Sequence, residues 1–198
     1  MTAADPEGRS IHRAGIQAEV EVDSKAYAAG SRRRFDATLR CIESVQPPAL
    51  DIGPPNALAR EVERRFGVTI ENTGMHDLDR ERIRDFCPGP YATITGFEIL
   101  EHLLNPLLVL DGCREVLQPD GVLYVSVPRR SAWEWLFGKS PEHFHEFAAD
   151  ELRWMLDKGG FQIERWVELS TSEMSFGIRP LLRRLMRNLL FVKCRPRA

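Results

Sequence analysis

Between Tyr91 and Pro128 the chain changes hydrophobic period twice, and few folds accommodate that order. An apolar run, YATITGF, leads into the acidic string FEILEH. Apolar residues at helical spacing continue through Leu117, the pattern breaks at QPDG, and VLYVSVP follows. This spells strand, helix, turn, strand. Most positions from Val122 to Val127 are apolar or β-branched, as expected of a strand covered on both faces in a parallel sheet. A crossover helix of this length between two such strands makes a βαβ unit, right-handed by default. The remainder must be arranged around it, as an α/β fold with a mostly parallel sheet.

The elements before this unit fit the same plan. Phe35, Leu39, Ile42 and Val45 fall at spacings of four and three, which predicts an amphipathic helix from Arg32 to Val45, stopped by Pro47-Pro48. Ala49-Leu50-Asp51-Ile52-Gly53 reads as a short first strand, and Ala57 to Phe66 as the helix after it. In a doubly wound sheet this first strand-to-helix turn is where a nucleotide-like cofactor sits, because glycine lets the backbone approach and the helix start offers free N–H groups. Gly67 to Glu71 predicts a second strand, ending in a carboxylate about twenty residues beyond Asp51. That is the distance at which such folds place an acid against ribose hydroxyls; the plainer reading is a surface glutamate at a strand end. If a helix starts near Glu98, then Glu98, Glu101 and His102 share one face, and two carboxylates with an imidazole can hold a divalent cation. Acids at a helix start also complement its dipole without any ion.

Composition excludes several function classes. The 198 residues, 43% hydrophobic and 28% charged, suffice for one sizeable core. We expect one domain over residues 31–198, preceded by a flexible, polar and aperiodic arm over 1–30. A net charge of −2 gives no field that would concentrate DNA or RNA. Cys41, Cys87, Cys113 and Cys194 form no CxxC pair, so they read as buried or idle thiols of a reducing compartment. With no signal-like apolar core and no apolar run near a spanning length, the expected location is cytoplasmic, without a transmembrane segment.

The strings TGFEILEHLLNPLLVLDGCREVLQPDGVLYVSVP, ALDIG and EHFHEFAADELRWMLDKGGF, in that arrangement, resemble class I S-adenosylmethionine-dependent methyltransferases. Within that class the chain looks most like the small single-domain group whose helix begins E-x-x-E-H, and the resemblance covers roughly residues 35 to 195. It implies a Rossmann-like methyltransferase fold, S-adenosylmethionine as cofactor and a small-molecule methyl acceptor with an oxygen or nitrogen nucleophile. Asp51, Gly53, Pro55, Glu71 and Gly96 stand at the implied cofactor positions. The family's G-x-G-x-G pattern is not kept: Pro55 and Ala57 replace its second and third glycines, and a proline has no N–H to offer. This departure motivates the rival reading, a degenerate methyltransferase fold acting as a non-catalytic partner subunit.

Residues 72 to 90 are too few for the helix and third strand of the standard fold, so one element should be missing. MHDLD resembles the end of that third strand, which makes Asp77 and Leu78 candidates to face the adenine; an Asx-rich turn is the alternative. Families that share E-x-x-E-H hold a metal with those residues and a later histidine, which implies a Mg or Zn site of Glu98, Glu101, His102 and either His143 or His145. His143 and His145 point opposite ways in an extended segment, and His145 is chosen because it directly precedes the lead into the next helix. His145 or His102 is also the candidate base for the acceptor proton.

Past Pro128 the segment RRSAWEWLFGKSPEHFHEF lies beyond the carboxyl end of a strand, where open α/β sheets bind ligands. Trp133, Trp135, Leu136, Phe137 and Phe144 predict an apolar substrate lid flanked by Arg129 and Arg130. A helix starting at AADE and ending at Lys158-Gly159-Gly160, a strand from Phe161 to Leu169 and a last strand from Leu189 to Cys194 complete the fold. A basic piece with Arg179, Arg183, Arg184 and Arg187 suits weak contact with an anionic surface, or simply a solvated face.

Overall fold

Helix α1 (Lys25–Cys41) leads into strand β1 (Ala49–Asp51), helix α2 (Ala57–Phe66) and strand β2 (Ile70–Asn72) in a computed structural model that describes residues 25–130, 143–170 and 188–197. A single-turn helix α3 (Ile83–Phe86) precedes strand β3 (Tyr91–Phe97), and a 3₁₀ turn (Leu100–His102) precedes helix α4 (Pro106–Val116). Strand β4 (Leu117–Pro128), helix α5 (Ala149–Lys158), and strands β5 (Phe161–Leu169) and β6 (Leu189–Pro196) complete the described elements. The predicted lid residues 133–137, the basic piece around Arg179–Arg187 and most of the N-terminal arm lie outside the described residues.

Among the described residues the sheet has six strands in the order β2-β1-β3-β4-β6-β5. The first four pair in parallel, and β6 runs antiparallel to both β4 and β5. Between β2 and β3 only α3 intervenes, so the expected missing element is missing and β2 becomes an edge. The expected break at QPDG is a register irregularity inside β4: Tyr91 pairs Leu117, then Thr93 pairs Val122.

Two cores flank the sheet. One packs Leu50, Ile94, Leu123 and Val125 against α4, α5 and the 3₁₀ turn; the other packs Ala49, Tyr124 and Phe191 against α1 and α2. Leu152 and Leu156, four apart on α5, are fully buried, each contributing about 1.5–3 kcal/mol. All four cysteines are buried within these cores.

Helix boundaries follow local chemistry. The predicted Arg32–Val45 helix stops at Cys41; Ile42 and Val45 reach the core from the irregular connection that precedes the two prolines. The expectation that a helix begins at Glu98 fails. Glu98 has φ +51, and α4 begins only at Pro106, which is preset for a first helical position. At α5 the N-cap residue Ala148 offers no side-chain oxygen, and the Glu151 carboxylate supplies the other half of a capping box by accepting from the Ala148 N–H at 2.8 Å.

Candidate active site

The carboxyl ends of β1, β2 and β3 converge on the turn after Asp51. Asp51 is 2% exposed, and its carboxylate accepts from Thr95 Oγ1 at 2.6 Å and from Asn56 Nδ2 at 2.8 Å. Burial pushes its pKa up from 3.8 to about 7, against the lowering effect of those two donors. Asn56 does three things at once: it donates to Asp51 and to the Pro54 carbonyl, and its Oδ1 caps α2 by accepting from the Ala59 N–H at 2.8 Å. The prolines therefore stand outside α2, and Pro55 is exposed. Asparagine directly before a helical pattern is an N-cap signal, so this residue was findable in the sequence.

Gly53 has φ +116, a conformation closed to side chains, and its N–H donates to Thr73 Oγ1 at 2.7 Å while its carbonyl accepts from the Gly74 N–H at 3.1 Å. Beside it on β3, Gly96 carries no side chain either, and Ile99 lies over both glycines. Glu71 ends in contact with its own chain: its carboxylate accepts from Tyr91 OH at 2.6 Å and from Cys87 Sγ at 3.7 Å. Burial, then the Glu71 hydrogen bond, raise the Tyr91 pKa, so the phenol stays a donor.

Asp77 and Leu78 are not at a strand end. The Asp77 carboxylate accepts from the Asp79 N–H at 3.2 Å, closing an Asx turn, and Leu78 is 1% exposed inside the core. With no third strand to carry them, both are used by the turn that replaces it.

The E-x-x-E-H residues separate. Glu98 donates its N–H to the Ser126 carbonyl at 2.8 Å, and its carboxylate lies 3.1 Å from Arg34 Nε of α1. Glu101 and His102, 1% and 4% exposed, instead meet His143: one ligand atom from each lies within 4.8 Å of the others. The rings of His102 and His143 meet edge to face, 4.9 Å between centroids. The loop does fold back over this region, because the N–H groups of Phe144 and His145 both donate to the Glu101 carbonyl, at 2.8 and 3.1 Å. That pinning turns His143 inward. His145, the residue chosen from sequence, stacks on Phe147 with its Nε2 3.5 Å from the Leu104 carbonyl oxygen. Arg129 and Arg130 pair with Glu168 and Glu151.

The methyltransferase domain family matches residues 2–165. A ubiquinone biosynthesis O-methyltransferase of Paracidovorax citrulli (strain AAC00-1) is 24% identical over 151 residues, 72% of this chain and 57% of that protein. Its namesake in Methylococcus capsulatus (strain ATCC 33009 / NCIMB 11132 / Bath) is 30% identical over 115 residues, 51% of this chain and 47% of that protein. The chain thus spans about half the length of these relatives. Among solved structures, an S-adenosylmethionine-dependent methyltransferase from Archaeoglobus fulgidus superposes with a TM-score of 0.57 at 14% identity, over 91% of this chain and 98% of that one. Another, from Mesorhizobium loti, gives 0.51 at 16% identity, over 84% and 97%. The sheet and the family match agree, and the chain belongs to the class I S-adenosylmethionine-dependent methyltransferases.

Proposed function

We propose that this chain transfers a methyl group from S-adenosylmethionine to an oxygen nucleophile of a small molecule, in the crevice above β1 and β3. The observation that carries the reading is the turn itself: Gly53 at φ +116 and Gly96 leave two neighbouring strands without side chains, beside a buried carboxyl and the start of α2. These residues fit a cofactor that lies against bare backbone. S-adenosylmethionine supplies the sulfonium-activated methyl group. Glu71 would accept from the ribose hydroxyls, since a carboxylate that already accepts from Tyr91 retains free lone pairs. The low-identity O-methyltransferase relatives favour oxygen over nitrogen as acceptor.

Glu101, His102 and His143 would hold a divalent cation next to the acceptor. Two imidazoles and one carboxylate suit zinc better than magnesium, which prefers an oxygen shell. Such an ion supplies Lewis-acid polarisation of an acceptor hydroxyl. The protein's remaining task is to orient the acceptor; where no ion is held, and its ring nitrogen is therefore not tied to metal, His102, buried in the cluster, would receive the acceptor proton.

One observation favours the rival reading of a non-catalytic partner subunit: the Gly53 N–H is already taken by Thr73, and two prolines follow it. Calorimetry with S-adenosylmethionine and S-adenosylhomocysteine separates the two. We expect binding of both, and Glu71→Ala to weaken each by about 10- to 150-fold, the loss of a hydrogen bond to a charged group. No heat from either ligand would leave the partner-subunit reading standing; full affinity in a folded Glu71→Ala protein would remove Glu71 from the site.

A further inference from the structure

We propose that Ile99 sets the size of the alkyl group that a bound sulfonium donor can carry; this rests on S-adenosylmethionine occupying the turn after β1. The Ile52 N–H donates to the Thr95 carbonyl at 2.8 Å, which brings the residues that follow, Gly53 and Gly96, alongside each other. A Cβ built on Gly53 would meet Ile99 Cδ1 at 3.7 Å, the only neighbour within 4 Å among the described residues. One built on Gly96 would meet Ile99 Cγ2 at 3.6 Å, ahead of Ile52 at 3.9 Å. One side chain therefore walls the bare backbone of both strands.

That wall is fixed on every side. Ile99 is 5% exposed, and a β-branched residue has little χ1 freedom to retreat. Glu98, at φ +51, turns the chain back at this point, held by the Ser126 carbonyl and by Arg34. The Ile99 carbonyl accepts from the His102 N–H at 3.1 Å, so the turn that presents Glu101 and His102 begins on the same residue. Ile99 thus serves two neighbours: its side chain covers the two glycines, and its carbonyl opens the turn that presents Glu101 and His102. A donor alkyl group lying against these glycines would meet its side chain, and a stiff, packed wall tolerates added methylenes poorly.

Titration calorimetry with S-adenosylmethionine, its S-ethyl analogue and S-adenosylhomocysteine tests this. In the wild type we expect the S-ethyl analogue to bind at least tenfold more weakly than S-adenosylmethionine. Ile99→Ala should shrink that ratio to threefold or less, and Ile99→Val, which lacks only Cδ1, should fall between. S-adenosylhomocysteine, having no transferable alkyl group, should change by less than threefold throughout, which a general collapse of the site would not allow. Ile99→Phe should lose S-adenosylmethionine while keeping S-adenosylhomocysteine, and serves if the alanine protein does not fold. An S-ethyl ratio near one in the wild type, or a wild-type ratio in folded Ile99→Val, Ile99→Ala and Ile99→Phe, overturns the proposal while leaving methyl transfer untouched. Absence of binding by every ligand to the wild type overturns the cofactor assignment, and this inference with it.

Discussion

Asp51→Asn is expected to raise the melting temperature by several degrees at pH 8 and to leave it nearly unchanged at pH 4. The Asp51 carboxyl is buried and its pKa rises from 3.8 to about 7 on folding. A folded state that holds its proton more tightly than the unfolded chain is favoured below the unfolded pKa, and that advantage is lost as pH climbs towards the folded value. Between pH 4 and pH 7 the wild type should lose on the order of 4 kcal/mol at most, about 1.4 kcal/mol for each pH unit. Asparagine removes the charge and keeps the contacts. Its carbonyl can accept from Asn56 Nδ2, its amide can donate to Thr95 Oγ1, and that hydroxyl can turn towards the Leu50 carbonyl 3.5 Å away. Thermal unfolding of both proteins from pH 4 to pH 8 is the measurement; parallel curves would mean that Asp51 titrates no differently in the folded protein.

The second large effect concerns the two histidines of EHFHEF. His143→Ala should weaken zinc binding by at least 100-fold, and His145→Ala by less than threefold, in competition with a chromogenic chelator at pH 7.5. The contrast follows from one geometric fact. His143 shares a cluster with Glu101 and His102, whereas His145 stacks on Phe147. Loss of one imidazole leaves two donors, too few for a held ion. Equal affinities in the two variants, or a larger loss with His145→Ala, would remove the cluster as a metal centre. Because a coordinating imidazole must be neutral, acidification should also release the ion from the wild type.

Much of the fold was legible because it depends on period and length. Apolar and β-branched runs marked β3 and β4, and the shortage of residues between Glu71 and Tyr91 showed that one element of the standard set had to be absent, which proved to be a strand. The helix start was misplaced because acidic Glu98 and Glu101 imitate a first turn, while the operative signal is Asn105-Pro106, with Pro106 eight residues beyond Glu98. Neither the inward turn of His143 nor the capture of Glu98 by Arg34 could be read locally. The first depends on backbone hydrogen bonds to Glu101 across more than forty residues, the second on a helix that precedes the sheet. Thr73 escaped for the same reason: its hydroxyl matters only once β1 and β2 lie side by side.

The four buried cysteines have a use unrelated to methyl transfer. Cys41 closes α1, Cys87 follows α3, Cys113 lies in α4 and Cys194 in β6, so each thiol belongs to a different part of the architecture. Burial pushes Cys113 and Cys194 up to about 12, and both stay unreactive while their surroundings remain closed. A thiol reagent added to the native protein therefore acts as four stopwatches, each started by the opening of its own element. The order in which they run gives the order in which the sheet, its crossover helix and the preceding helix come apart.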